Sequence, residues 1–285
     1  MKLIQKTKMP TIASLFDMSS SKRSSHFLEE EFERKPVVFR SDVQSSPIVF
    51  INDVDKVLAD FHLPYPFVRV VRDHETLRHP SDLPLMALSR QCLMDRTAWY
   101  VESVAAGCSL LIQAMNRRLT CVRHICNQIE KASGLLCQAN GYLTPRGSQT
   151  FNLHFDTHDV FVWQQEGSKA WKVFGSEVDN PSYHHRFQVD EKRREQLVEE
   201  GPIIDTTLTP GDMLYIPRGY LHCGQATADD SFHLTVGVFR KSHLDYVSEF
   251  FGAQSDNPEA MKFFEENADK LSLDLIFNYV NDANS

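Results

Sequence analysis

Residues 136–240 constrain the fold most, because their texture is that of short β-strands. This region consists of runs rich in Val, Phe, Trp, Tyr and Thr, separated by the turn-forming segments TPRGS, QEGS and TPGD. β-Branched and aromatic residues favour strands, and closely spaced turns are typical of antiparallel barrels and sandwiches. The sequence therefore predicts an all-β, barrel-like module here.

The flanking regions show other patterns. Residues 26–40 predict a short amphipathic helix followed by a strand, and a second strand is expected at residues 67–71. Between residues 110 and 132, apolar side chains recur at helical spacing and Gly134 follows as a stop, which predicts one long helix. Residues 241–285 again carry apolar residues at helical spacing.

Composition limits the class of protein. With 42% hydrophobic and 24% charged residues, the 285 residues are enough for one large folded domain. The net charge of -8 gives no general attraction to nucleic acid or anionic membranes, and no segment is apolar for long enough to be a secretory signal or a membrane span. Six cysteines without a CxxC pair predict reduced thiols. We therefore expect a cytoplasmic protein with no nucleic-acid or membrane partner.

Two candidate metal ligands occur in the stretch FNLHFDTHDVFVWQQ. His154 and Asp156 face the same side if this stretch is a single strand. A carboxylate beside Val160 and Val162 is costly to bury unless a cation compensates its charge. His243 also has Asp two residues later, but it lies in a predicted helix, where such residues are about 200° apart around the axis.

A third ligand follows from LTPGDMLYIPRGYLHCGQA, which predicts a turn, a strand at residues 213–216 and then His222. If that strand lies beside the first, His222 reaches the same interior. Two imidazoles and one carboxylate form the facial triad of non-haem iron(II) oxygenases, although zinc hydrolases use similar ligands. His158 shares the predicted face of His154 and Asp156, and its role stays open.

Lys169 predicts an anion in the same interior. If residues 165–168 form a hairpin turn, Lys169 lies opposite Gln164 and faces the metal together with Trp171 and Val173. A buried ammonium in an aromatic-lined barrel requires an anionic partner. The alternative is a surface lysine on a hairpin of different register.

Four stretches resemble the JmjC-type cupin-like oxygenases, particularly their ribosomal-oxygenase branch: FLEEEFERKPVVF, ANGYLTPRGSQTFNLHFDTHDVFVWQQEGSKAWKVF, LTPGDMLYIPRGYLHCGQA and SFHLTVGVF. We therefore expect a mainly β fold, a double-stranded β-helix (jelly-roll barrel) with its core at about residues 136–240, an N-terminal α/β region and a C-terminal helical tail. The expected segments are an N-terminal extension (1–25), a JmjC/cupin catalytic domain (26–240) and a helical segment (241–285), which is too short for the winged-helix domain typical of this branch.

The resemblance implies roles for the residues already singled out. His154, Asp156 and His222 would ligate iron(II), and Lys169 would pair with the distal carboxylate of 2-oxoglutarate. Three further residues match family positions that line the cosubstrate pocket: Asn140, Tyr142 and Thr235.

The implied reaction consumes molecular oxygen and converts 2-oxoglutarate to succinate while one carbon–hydrogen bond is hydroxylated. The expected substrate is a side chain of a protein or of a ribosomally made peptide. Alternatives that the sequence leaves open are N-methyl demethylation, hydroxylation of a small molecule, a zinc-dependent isomerase or hydrolase, and a metal-binding cupin that acts as a sensor or scaffold without oxygenase activity.

The tail carries the side chains of Phe250, Phe251, Phe263 and Phe264 at helical spacing. Such an apolar stripe predicts either a homodimer through the C-terminal helices or packing of the tail on the barrel.

Overall fold

The computed structural model describes residues 26–41, 47–61, 63–79, 90–181 and 190–240, together with Lys262 and Glu266. The described chain begins with a π-helical turn at Phe27–Glu31 and has a 3-10 turn at Met115–Arg117. Its helices are α1 (Ile51–Phe61), α2 (Arg90–Ala105), α3 (Thr120–Ser133) and α4 (Glu191–Glu200). Its strands are β1 (Val37–Phe39), β2 (Val68–Arg72), β3 (Glu75–Leu77), β4 (Ser109–Ile112), β5 (Leu136–Thr144), β6 (Asp159–Glu166), β7 (Lys169–Ser176), β8 (Ile204–Leu208), β9 (Met213–Ile216), β10 (Tyr220–Ala226) and β11 (Ser231–Phe239).

These strands form two antiparallel sheets. The major sheet has the order β1-β9-β6-β11-β5-β4-β2-β3, and the minor sheet has the order β10-β7-β8. Along the chain, β6, β9 and β11 belong to the major sheet, whereas β7, β8 and β10 belong to the minor sheet. This exchange between two facing sheets is the jelly-roll arrangement, so the predicted mainly β double-stranded β-helix is confirmed.

Strand β6 shows how the two faces of the major sheet differ. Phe161 and Trp163 join the large apolar core that also contains the buried residues of α1 and α3. Val160 and Val162 point the other way and pack with Trp171 and other buried residues between the sheets. Because side chains alternate along a strand, the apolar run Val160, Phe161, Val162 and Trp163 shows that β6 is buried on both faces.

The predicted long helix over residues 110–132 is only partly correct. Ser109–Ile112 is strand β4, with all four residues buried between β2 and β5, and α3 begins at Thr120. Gly134 does end the helix, with a left-handed φ of 71°. The short apolar run of β4 matched helical spacing because a strand buried on both faces has no polar alternation. The helix predicted before Pro36 is likewise reduced to the π-helical turn, whereas the strand predicted after it is confirmed as β1.

The predicted hairpin between β6 and β7 is wrong. Strand β6 pairs with β9 and β11, whereas β7 pairs with β10 and β8. Gly167, in the connection, has a φ of +60°, and a Cβ at this position would lie 2.0 Å from the carbonyl oxygen of Asp230. The chain therefore turns here from one sheet into the other, and Lys169 lies opposite Leu208 and Ala226.

The chain divides into two compact units, residues 1–240 and 241–285. The predicted tail helices and dimer contacts lie outside the described residues. The described cysteines are free thiols, as expected: Cys108, Cys121, Cys126, Cys137 and Cys223. None of the described helices combines the length and apolar character needed to cross a bilayer.

Candidate metal centre

A cleft between the two sheets collects the polar residues of the barrel interior. Its empty volume is about 420 Å³, including solvent at its mouth. Side chains from β5, β6 and β11 form one wall, and side chains from β7 and β10 form the other. The lining residues are Tyr142, Thr150, Phe151, His154, Asp156, Val160, Val162, Lys169, Trp171, His222, Gly224, His233 and Thr235.

Three of these side chains could hold one metal ion. His154, Asp156 and His222 each offer a ligand atom, and these atoms lie within 4.8 Å of one another. Asp156 Oδ2 is 3.7 Å from His222 Nε2, and the two imidazole centres are 4.4 Å apart. The backbone reinforces the pair, because His154 N–H donates to His222 O (3.2 Å) and His222 N–H donates to His154 O (2.8 Å). An isolated β-bridge thus holds two candidate ligands opposite each other.

Hydrogen bonds orient both imidazoles towards the centre. His154 Nδ1 is 2.7 Å from the carbonyl oxygen of Asn152, and His222 Nδ1 is 3.0 Å from that of Tyr220. Since each Nδ1–H can donate to its carbonyl, each Nε2 keeps its lone pair for a metal. Burial lowers the pKa of His222 to about 4, His154 adds to this effect and Asp156 opposes it. Two imidazoles and a carboxylate fit a divalent transition metal such as iron(II).

The sequence predicts that His154 and Asp156 lie on one strand, but the backbone around them is irregular. Regular strand β6 begins only at Asp159, so His154 and Asp156 lie in the irregular segment before it. His158 is not part of the metal-type cluster found among the described residues. Its ring stacks on Phe239, with centroids 4.4 Å apart, and covers Gly237, where a Cβ would lie 2.7 Å from His158 Cδ2.

Lys169 is a buried cation in the same cleft. Its side chain is almost fully enclosed, and Nζ donates to Thr144 Oγ1 (3.0 Å) and lies 5.5 Å from the Trp171 ring centre. Burial lowers its pKa to about 7, and no acidic side chain among the described residues pairs with it. A buried ammonium without a counter-ion favours an anionic ligand.

The other predicted pocket residues separate into two groups. Tyr142 and Thr235 line the cleft, and the Tyr142 ring stacks on His233 with centroids 4.8 Å apart. Asn140 is not in the described lining. Its Oδ1 accepts hydrogen bonds from Ala114 N–H (3.0 Å) and Gln138 Nε2 (3.1 Å), so this amide holds the backbone before α3.

The sequence interpretation missed His233, Thr144 and Thr150. His233 is buried, and burial together with nearby Lys169 keeps its pKa well below the usual value. Its Nδ1 is a buried atom without a hydrogen-bond partner. Alternation along β11 places His233 on the same face as Thr235, so period-two spacing could have identified it. Thr150 belongs to an irregular segment, for which no such spacing exists.

Known proteins resemble this chain in sequence. Residues 111–246 match the family model of the JmjC domain. The bifunctional lysine-specific demethylase and histidyl-hydroxylase NO66 of Brugia malayi is 37% identical over 142 residues, which cover 49% of this chain and 20% of that protein. Ribosomal oxygenase 1 of Gallus gallus is 34% identical over 149 residues, or 52% of this chain and 24% of that protein. The chain thus spans only about a quarter or less of these relatives' length.

A solved structure resembles the fold. YcfD, a ribosomal oxygenase from Escherichia coli, in complex with cobalt and 2-oxoglutarate, superposes with a TM-score of 0.54 and 19% identity. The match covers 83% of this chain and 56% of that chain. This likeness supports the double-stranded β-helix architecture.

Proposed function

We propose that this chain, whose residues 111–246 match the family model of the JmjC domain, is an iron(II)- and 2-oxoglutarate-dependent oxygenase that hydroxylates a side chain of a protein or a ribosomally made peptide. The observation that carries this proposal is the convergence of two features in one cleft. A cluster of metal-type ligands, His154, Asp156 and His222, lines the same cleft as Lys169, a buried ammonium without an acidic partner among the described residues. A metal-binding sensor or scaffold has no need of the second feature.

In this proposal His154, Asp156 and His222 hold the iron(II) ion. The hydrogen bonds from Nδ1 of His154 and of His222 to backbone carbonyls would keep both imidazoles in the metal-binding tautomer. When bound, iron(II) and 2-oxoglutarate supply the oxidising chemistry: oxygen is consumed, 2-oxoglutarate becomes succinate and carbon dioxide, and one oxygen atom enters a carbon–hydrogen bond.

Lys169 would bind the distal carboxylate of 2-oxoglutarate, the partner that its enclosed ammonium requires. Tyr142 and Thr235, which also line the cleft, would add hydroxyl hydrogen bonds to the cosubstrate. Asn140 would act indirectly, through the Ala114 backbone that it binds. The apolar walls of the cleft, among them Val160 and Val162, would exclude water from the reacting groups.

The names of the relatives support a protein substrate, since they include a histidyl-hydroxylase and a ribosomal oxygenase. The first of these relatives is also named a lysine-specific demethylase, which favours N-methyl demethylation as a second candidate. Side-chain hydroxylation and N-methyl demethylation share one chemistry, because hydroxylation of an N-methyl carbon yields a hemiaminal that releases formaldehyde. We further propose a cytoplasmic location, for which the sequence is the basis.

Anaerobic titration of the iron(II)-loaded protein with 2-oxoglutarate tests the proposal. We expect the visible metal-to-ligand charge-transfer band, its loss in His222→Ala and weaker cosubstrate binding in Lys169→Ala. Matched controls are His74→Asn, in an exposed turn, and Lys172→Ala, exposed on the same strand as Lys169, and neither should alter the band. A wild-type protein that holds iron but gives no band would contradict the oxygenase proposal.

A second experiment separates the two candidate reactions. Peptides incubated with the loaded enzyme are analysed by mass spectrometry, where hydroxylation adds one oxygen atom and demethylation removes one methylene group. We expect the added oxygen on an unmethylated peptide. Turnover confined to methylated lysine peptides, with release of formaldehyde, would favour the demethylase instead.

A further inference from the structure

Three hydroxyl groups form a hydrogen-bonded series that begins at Lys169, includes Thr150 in the cleft lining and ends at Ser109, which is outside that lining. Lys169 Nζ donates to Thr144 Oγ1 at 3.0 Å, Thr144 Oγ1 lies 3.1 Å from Thr150 Oγ1, and Thr150 Oγ1 donates to Ser109 Oγ at 3.1 Å. All four residues are at most 3% exposed. We call Thr144, Thr150 and Ser109 the hydroxyl chain.

The hydroxyl chain joins parts of the fold that are distant in sequence. Lys169 begins β7 of the minor sheet, Thr144 ends β5 of the major sheet, Ser109 begins β4, and Thr150 lies in the irregular segment after β5. The four buried polar side chains are linked by consecutive hydrogen bonds. Burying hydroxyl groups is unfavourable unless they are hydrogen-bonded, so this arrangement is a built feature of the interior.

The direction of the hydrogen bonds follows from Lys169. An ammonium group donates and never accepts, so Thr144 Oγ1 must accept from Lys169 Nζ. The Thr144 hydrogen is then free to point at Thr150, whose own hydrogen points at Ser109. Both threonine hydroxyls therefore turn their oxygens towards Lys169 and their hydrogens away from it. Such a polarised series strengthens each bond and favours the charged form of the lysine.

The same geometry leaves donors for a ligand. An ammonium group has three hydrogens, and Thr144 Oγ1 is the acceptor for one of them. No further acceptor for Lys169 Nζ is found among the described residues. The remaining donors match the two oxygens of a carboxylate, and Lys169 lines the cleft into which such a group would extend.

We propose that Thr144, Thr150 and Ser109 are positioning residues that keep the Lys169 ammonium charged and aimed into the cleft, so that the site selects 2-oxo acids that carry a second carboxylate. This inference rests on the proposed function, and it assigns cosubstrate selectivity to the hydrogen-bonded series behind Lys169 as well as to Lys169 itself. Ser109 extends the selecting unit to β4, a strand that contributes no side chain to the described cleft lining.

The test compares two ligands in anaerobic absorption titrations of the iron(II)-loaded protein. One is 2-oxoglutarate, and the other is pyruvate, which has the same 2-oxo acid head but no second carboxylate. Thr144→Val keeps the side-chain shape and removes the hydroxyl. We expect it to weaken 2-oxoglutarate binding about tenfold or more, because hydrogen bonds to charged groups are among the strong ones, and to leave pyruvate binding unchanged. Thr150→Val and Ser109→Ala should give smaller losses of the same kind.

Two control variants make the result specific. Thr144→Ser restores a hydroxyl and should recover most of the 2-oxoglutarate affinity. Thr207→Val makes the same substitution at an exposed position of β8 and should change neither affinity. If Thr144→Val does not fold, as judged by its melting temperature, Thr150→Val and Ser109→Ala carry the test.

The outcomes separate the two proposals. No charge-transfer band with either ligand in the wild type would overturn the proposed function. A normal wild-type band with an unchanged 2-oxoglutarate affinity in the folded hydroxyl-chain variants would overturn the positioning role alone. An equal loss for 2-oxoglutarate and pyruvate would also overturn it, since that result indicates general damage to the site.

Discussion

Burial shifts the pKa of individual residues in the cleft. Lys169 has its pKa lowered to about 7, and the imidazole of His222 has its pKa lowered to about 4, in both cases mainly because the charged form is desolvated. The lowered pKa has a different consequence for each of these two residues. A neutral imidazole is ready to bind a metal, whereas an ammonium with a lowered pKa is ready to gain from an anion.

We expect 2-oxoglutarate to bind less tightly as the pH rises from about 7 to about 9. Ligand-free Lys169 loses its proton as the pH passes its pKa of about 7, and it must regain that proton to pair with a carboxylate. The loss can reach about tenfold per pH unit. Three other groups around the cleft keep their charge states in this range: burial holds the pKa of His233 and His222 well below it and raises that of Tyr142 above it.

Dissociation constants from anaerobic titrations at several pH values measure this effect. Lys169→Arg stays protonated throughout, so its affinity should vary little with pH. An equally flat profile for the wild type would show that Lys169 is not the group that titrates.

Among the elements, the connection from β6 to β7 decides how the barrel closes. The turn residues between the two strands predict a hairpin, yet the strands belong to different sheets. The predicted inward face of Lys169 is nevertheless correct, because side chains alternate along β7 whichever strands pair with it. The alternation puts Lys169 and Trp171 on the cleft side.

Gly167→Ala tests this connection. The φ of +60° is unfavourable for alanine, and the new Cβ would also meet the Asp230 carbonyl oxygen, only 2.0 Å from its ideal position. Gly147→Ala is a matched control, since its φ is +72° and no atom lies within 4 Å of the Cβ position. We expect the free energy of unfolding to fall by about 1 kcal/mol in the control and by clearly more in Gly167→Ala.

Denaturant unfolding of both variants gives the comparison. Both glycines share the same backbone preference. The difference between the losses of unfolding free energy in Gly167→Ala and Gly147→Ala therefore measures the steric conflict alone. Similar losses would indicate that the connection relaxes without strain, contrary to the tight passage between the sheets.

At the scale of the whole molecule, the compact unit of residues 1–240 contains the entire described cleft. The second unit, residues 241–285, carries the four phenylalanines from which a homodimer is predicted. Stripes of exposed apolar residues are typical of subunit contacts. The dimer stays a prediction of the sequence.

Light scattering of the full chain and of a chain ended after Arg240 tests this prediction. We expect the full chain to have the mass of a dimer and the shortened chain to have that of a monomer, at equal concentrations. Retention of the iron(II) and 2-oxoglutarate band in the shortened chain is the control for its folding. The same oligomeric state in both chains would contradict a dimer formed through the tail.

The sequence by itself determined the fold class and the residue types of the candidate metal centre. Alternation and turn residues are local properties, so the strands of residues 136–240 could be predicted without knowledge of their partners. The metal-type residues were also recognisable, because the His154 and Asp156 pair and the later His222 are defined by residue type and spacing.

Only the tertiary structure decided which strands pair and which side chains meet. It placed β6 and β7 in different sheets, converted the start of the predicted long helix into β4, and engaged Asn140 with Ala114. It also brought Ser109 into one hydrogen-bonded series with Lys169, 60 residues later in the sequence. The physical reason is that strand pairing and buried hydrogen bonds join residues far apart in the chain, and they form where packing on both faces of a sheet is satisfied at once.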